Sequence, residues 1–468
     1  MNTTTPFDSV QRIVLVGSGW THARHLALRF GENAEAPRFL NLLKRDGLCP
    51  TSAAARDPQM QVSLGLSRRG LVNLGVPPHV LACFALKAPA FCLGAQVRAA
   101  SRLSAADRNS ARRWDEAFDF TALDGVLSLH GCDGVALTVA EEKIRILANQ
   151  CGGRTRPFAQ AQKLEKAPDG ETQVPDASWV HFGYRDGLSR IGIRGWTSPA
   201  ALDQCRPASL HAAGEFVLGH PQDSGANPWI AGPGMRTWPE ELRSFFRNAS
   251  FGVLHQIEQH VEAFEKFVAN SAQASGMDAR ELKAKLCGRH PDGRPLGAPE
   301  AGPLDDFDYK QDPHGYGCPF GAHVRRLNPR DETLAQSFRS RALIRRGMPY
   351  GPAWSRMQPR DGIRRGLMAQ FFCASIEDQF EHLVGQWAER VPMGSADRGT
   401  ARDPLVGAHE AGDGPFEIPR GNRSRPVTID GMRPFVRTVG VAYLFYPSLT
   451  TFDGIAANAV WFSEEEDA

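Results

Sequence analysis

The chain has 468 residues, 42% of them hydrophobic and 23% charged, enough to bury a core and too apolar for wholesale disorder. Its 54 basic and 52 acidic residues leave a net charge of +2, which carries no overall nucleic-acid footprint. The nine cysteines are scattered and none forms Cys-x-x-Cys, which excludes a disulfide scaffold, a zinc ribbon and a cysteine-ligated iron–sulfur cluster.

The N-terminus lacks the basic start and apolar core of a signal peptide, so the expected compartment is the cytoplasm. Arg12 to Gly17 reads as a buried strand, and Thr21 to Phe30 as helix-like. Gly17-Ser-Gly19 lacks the third glycine of a dinucleotide fingerprint and reads as a tight turn. Glu32 to Gln59 reads as a long loop. Gln61 to Ser67 alternates with Val62, Leu64 and Leu66 on one face, the pattern of a strand. Gly65-Leu-Ser67-Arg-Arg-Gly70 places its second glycine one residue late for a nucleophile elbow, so a serine hydrolase is not supported. Leu71 to Ala95 is the most apolar stretch, but Pro77, Pro78, His79, Lys87 and Pro89 prevent it from spanning a bilayer. Strands are expected at Gly125 to His130, Trp179 to Phe182 and Val439 to Tyr446. Two apolar stripes at helical spacing follow Leu254, Ile257, Val261, Phe264, Val268 and Phe372, Ile376, Phe380, Leu383, Trp387. Gly288 to Lys310 and Gly394 to Arg425 read as long irregular loops, and Glu464 to Asp467 as a solvated tail. Mixed strands and helices with many turns point to α+β layers.

Three segments carry candidate chemistry. Gly183-Tyr-Arg-Asp186-Gly187 is either a turn or a carboxylate at a strand end with glycines beside it. Cys318-Pro-Phe-Gly-Ala-His323-Val-Arg-Arg-Leu-Asn-Pro-Arg330 holds one imidazole with three arginines behind it. A buried structural histidine is the plain reading; a metal or haem ligand is the chemical one. Arg345-Arg346-Gly-Met-Pro-Tyr350-Gly is either a solvated face before a turn or the source of one inward guanidinium.

Together these segments resemble the dye-decolourising peroxidase family. Its Gly-x-x-Asp-Gly, proximal-histidine and distal-arginine motifs are similar to residues 183–187, 318–330 and 344–351. Further matches lie at Gly214–Gly219, Ser375–Phe380 and Tyr443–Leu449, so the likeness runs in order from about 179 to 449. Ser189-Arg-Ile191 and His255 depart from the family pattern.

The resemblance implies two ferredoxin-like domains, residues 1–200 and 201–468, with antiparallel sheets, packed helices and the cofactor mainly in the second. It implies haem b, with His323 as the iron ligand and Glu377 or Asp378 as acceptor for its other ring N–H. Asp186 and Arg345 would be catalytic. Gly187 and Arg345 would border the haem, and Arg325 and Arg330 would face its propionates. The implied reaction reduces hydrogen peroxide while oxidising a bulky organic donor such as a dye or phenolic. A non-catalytic haem-binding protein for storage, delivery or sensing is the alternative. No nucleic-acid or membrane partner is expected, and a homo-oligomer is compatible.

Overall fold

The computed structural model describes residues 7–457, apart from 18, 33, 57, 104–112, 120, 168–173, 175–176, 190, 198–208, 232–236, 298–303, 331–340, 358–360, 391–401, 411–412 and 422–423. The expected boundary at 200/201 and the acidic tail lie outside the described residues.

Nine strands form one sheet that closes on itself. In chain order they are β1 (His22–Phe30), β2 (Met60–Leu66), β3 (Gly125–Gly131), β4 (Gly153–Gln162), β5 (Ser250–Gln259), β6 (Ile344–Arg345), β7 (Met348–Tyr350), β8 (Gly366–Cys373) and β9 (Val436–Tyr446). Their spatial order is β6-β8-β7-β4-β1-β3-β2-β9-β5, and β8 also pairs with β5, which completes a barrel. These pairings are antiparallel. Closure removes the exposed edges that a flat sheet would leave.

The barrel divides into two units of one topology. The first reads β4-β1-β3-β2. The second reads β9-β5-β8 and then β6 with β7. Each has its fourth strand beside its first, then its third, then its second, so both are ferredoxin-like. Helices α1 (Ala36–Arg45) and α2 (Gly134–Gln150) cover the first unit, burying Phe39, Leu40 and Leu43 and Leu137, Ile144 and Leu147. Helices α3 (Val261–Ser275) and α4 (Ala279–Cys287) belong to the second, and both end on left-handed glycines, Gly276 and Gly288. Between β2 and β3, four short helices from 68 to 102 pack outside the barrel. Ser67 caps the first of them by accepting from the Gly70 N–H, a structural use for the residue in the elbow-like motif. Inside the barrel, the Tyr446 ring sits where a Cβ on Gly65 or Gly252 would stand 2.8 or 2.3 Å from it, so both positions need glycine.

Several local expectations change. Arg12–Leu15 is one turn of helix, and Thr21 to Phe30 is β1, because β1 lies between β3 and β4 and is buried on both faces. The stripe from Leu254 to Val268 is two elements: Leu254 and Ile257 sit on β5, and α3 starts at Val261. A strand end followed directly by a helix had mimicked one continuous period. Likewise Phe372 lies on β8, and the helical part begins at Ile376. Glu32 to Gln59 contains α1. The Trp179 segment pairs only over Ser178–Trp179. Met60–Leu66, Gly125–Gly131 and Val436–Tyr446 are strands as expected. Among the described residues, no helix is long and apolar enough to cross a membrane.

Candidate active site

A cavity of about 1750 Å3, lined mostly by the second unit and in part by the first, runs through the molecule; it is larger than the roughly 300–1,000 Å3 of ordinary small-molecule sites. Its walls combine apolar side chains, among them Ile257, Leu367, Phe371, Phe380 and Leu383, with a few charged groups. His323, Asp186, Gly187, Arg345 and Arg330 all line it. Segments as far apart in the chain as Asp186 and Arg345 thus converge on one space.

His323 opens the short helix α5 (His323–Leu327). The loop before it is pinned by Asp312, whose carboxylate accepts from the Gly317 N–H at 3.1 Å and the Cys318 N–H at 2.8 Å. Arg325 completes that clamp. It donates to Asp312 Oδ2 at 3.0 Å and to the Cys318 carbonyl at 2.6 Å, between the Tyr309 and Phe320 rings. Arg325 is therefore not a cavity cation, contrary to expectation: it is buried and spent on the loop that presents His323.

The His323 Nδ1–H donates to Asp403 Oδ2 at 2.9 Å. Asp403 is fully buried. Burial pushes its carboxyl upward, but the His323 ring, the Arg326 cation and the Leu405 N–H together hold it below its ordinary value. Its other oxygen accepts from the Leu405 and Val406 N–H groups at 2.9 and 3.0 Å. This is the geometry that fixes a histidine tautomer and turns Nε2 outward as a basic ligand. Glu377 and Asp378 do not fill this role. Glu377 accepts from the Ala90 N–H, and Asp378 pairs with Arg341 and the Ser375 hydroxyl. The signal missed was Asp403-Pro-Leu-Val, a helix-cap pattern inside a segment read only as irregular.

Asp186 ends a two-residue strand pairing, with Ser178 opposite Asp186 and Trp179 opposite Arg185. Gly183 and Gly187 flank it at φ +84° and +73°, a left-handed backbone that other residues adopt at a cost. Its Oδ1 accepts from the Gly187 N–H at 2.7 Å, and the side chain stands exposed to the cavity. Arg345 pairs through its backbone with Phe371 on β8, and its side chain also faces the cavity. Its neighbour Arg346 differs. Burial pulls that guanidinium down to about 10, and it donates to the Ile13 and Val14 carbonyls at 3.0 and 3.3 Å. Of the adjacent pair, Arg345 is the one left to act in the cavity.

Arg330 and Arg289 share Asp305, leaving a net positive corner. Arg330 is buried, and its Nε has no partner among the described residues. An anionic ligand group there would offset the cost of that buried donor. His255, on β5, lines the wall. It is hydrogen-bonded to Thr438 at 3.0 Å, and burial brings it down to about 4, so it is neutral near pH 7.

No protein-family model matches the chain. Individual relatives do. A dye-decolorizing peroxidase of Mycena epipterygia is 28% identical over 96% of this chain and 87% of its own length. A multifunctional dye peroxidase from an Amycolatopsis species is 25% identical over 95% of both chains. A solved dye-decolorizing peroxidase in complex with 2,6-dimethoxyphenol superposes with a TM-score of 0.75, at 23% identity, over 97% of this chain and all of that one. The Auricularia auricula-judae peroxidase gives 0.74 at 21% identity, over 97% and 99%.

The chain is similar to dye-decolourising peroxidases over nearly its whole length, and it shares their fold. A haem matches the donor set. Among the described residues no cluster of three or more His, Cys, Asp or Glu side chains could hold a bare metal ion. One imidazole suffices when the porphyrin brings its own nitrogens.

Proposed function

We propose that the chain binds haem b in the 1750 Å3 cavity, where His323 would hold the iron, and reduces hydrogen peroxide at the expense of phenolic or dye-like donors. The observation that carries this reading is the convergence of three side chains on one cavity: an imidazole backed by a buried carboxylate, a free-standing carboxylate and a guanidinium.

Haem, when bound, supplies the redox chemistry that splits the peroxide and accepts electrons from the donor. His323 anchors it, and Asp403 holds the ring in the ligating tautomer. Arg330, with its unsatisfied Nε, suits a propionate. Asp186 takes a proton from the near oxygen of bound peroxide and returns it to the far oxygen. Arg345 stabilises the negative charge that grows on the departing oxygen. The apolar side chains in the wall lower the local dielectric, which strengthens both interactions. The donor class is supported by the relative solved with 2,6-dimethoxyphenol.

The test is the absorption spectrum of the holoprotein and of His323→Ala. The wild type should show a Soret band that the variant loses, with free imidazole partly restoring it. An unaltered Soret band in His323→Ala would remove His323 from the iron. A haem-storage or delivery protein needs neither Asp186 nor Arg345. Steady-state oxidation of a dye that persists unchanged in Asp186→Asn and Arg345→Leu would overturn the roles given to them.

A further inference from the structure

The barrel interior is unusual for its polarity. Gln61, Ser63, Ser128 and His25 are each at most 1% exposed, His130 is 4% and Gln370 is 2% exposed. Register places them on one face: Gln61 opposes His130, Ser63 opposes Ser128, and His25 opposes Ser128. That face points inward, because Gln370 on β8 reaches Ser128 on β3, a strand that is not its neighbour. The Gln370 Nε2–H donates to Ser128 Oγ at 3.2 Å. Ser128 Oγ also lies 2.8 Å from His25 Nδ1, so one hydroxyl is hydrogen-bonded to both Gln370 and the imidazole. The His25 and His130 rings meet edge to face at 5.7 Å.

Three of these side chains have unsatisfied atoms. Both ends of the Gln61 amide, His130 Nδ1 and Gln370 Oε1 have no hydrogen-bond partner among the described residues. Such groups destabilise the fold when left dry. Buried waters ordinarily satisfy them, each making about three hydrogen bonds. The interior is also not sealed. His130 and Gln370 line the same cavity as Asp186 and Arg345, and that cavity continues past Arg346 to Trp20 and Lys163 at the strand ends. Trp20 Nε1 is a further buried donor without a partner there.

We propose that the barrel interior is a hydrated polar chamber, a site for a cluster of ordered waters that opens into the peroxide cavity and carries protons to it. Reducing peroxide to water consumes one proton for each electron taken from the donor. A phenolic donor releases its proton at the donor site, not beside the peroxide oxygens. Waters strung between Gln61, His130, Ser128 and Gln370 provide a route from the strand ends to the Asp186–Arg345 side. The water site stands on the unsatisfied groups alone; its proton role rests on the cavity being the peroxide site.

A crystal structure of the holoprotein at high resolution tests the site. Water oxygens are expected at about 2.7–3.2 Å from His130 Nδ1 and the Gln61 amide; a chamber without ordered water overturns the proposal. Gln370→Met, close in volume, and His130→Leu test the role. Each should keep the Soret band, lose chamber waters, slow turnover at saturating donor several-fold, and enlarge the rate difference between H2O and D2O. His130→Gln, which keeps a polar group, should restore most of the rate. Variants that lose the waters yet keep both the rate and the isotope effect refute the proton route. Ordered waters in a protein that shows no Soret band would keep the chamber and sink the haem reading, so the two failures are distinguishable.

Discussion

The two ferredoxin-like units share a strand order but put their helix faces to opposite uses. In the first, α2 lays Leu137, Ile144 and Leu147 flat on the sheet, and α1 packs Phe39, Leu40 and Leu43 beside it. That face is filled. In the second, the corresponding helical segment, Ile376–Trp387, has wide π-type turns, and its second half, Leu383–Trp387, buries no residue. Phe380, Leu383, Val384 and Trp387 face the cavity instead. The π geometry is common where a helix has been reshaped for function. One architecture therefore makes a core where the helix closes on the sheet, and a site where the helix stands off.

The sharpest way to break this comparison is to remove the ligand from the second unit. His323→Ala should abolish the Soret band while leaving the far-ultraviolet circular dichroism of the barrel in place. Global unfolding instead would mean that the cavity does not stand open by its own packing. Next in size come Asp186→Asn and Arg345→Leu. Each should slow the stopped-flow reaction with peroxide by roughly 10²–10³-fold with haem content unchanged. A rate within a factor of two of the wild type would remove that residue from peroxide chemistry.

Much of the site was legible before the fold was known, because its chemistry lies in short motifs. Asp186 stands between two glycines that adopt a left-handed backbone, and Gly347, two residues after Arg345, singles that arginine out from Arg346. The partner of His323 was not legible, because it comes 80 residues later in an irregular segment, and only tertiary folding brings Asp403 to Nδ1. Arg325 was misjudged for a related reason: a cation near a histidine in sequence was equally able to clamp Asp312. Strands were legible where alternation or a Gly or Pro boundary marked them, as in β2, β3 and β9. They were lost where a strand runs into a helix, as at Gln259 to Val261, or where burial on both faces erased alternation, as in β1.

Paired truncations sharpen the contrast in packing. Leu137→Ala, on the filled face, should cost about 2–5 kcal/mol in urea unfolding and leave the Soret band unchanged. Leu383→Ala borders a cavity already open, creates little new void, and should cost under about 1 kcal/mol in the haem-free protein while weakening haem retention. Equal losses in the two variants would show that the second face is packed as tightly as the first.

The remaining expected effect concerns acid. His255 is 6% exposed on the wall of the second unit, and burial brings it down to about 4 in the folded chain. Unfolded, it titrates near 6.5. Between those values the unfolded chain binds the proton that the folded chain refuses. Stability contributed by the neutral ring is therefore full above about 6.5 and falls away as the pH drops toward 4, by about 2 kcal/mol at pH 5. His255→Gln keeps a donor for Thr438 and does not titrate. Urea unfolding at pH 7 and pH 5 should show a smaller acid loss in the variant than in the wild type. Identical losses would mean that the wall around His255 admits enough water to solvate a charged imidazole, and that the second unit is wetter than its apolar lining implies.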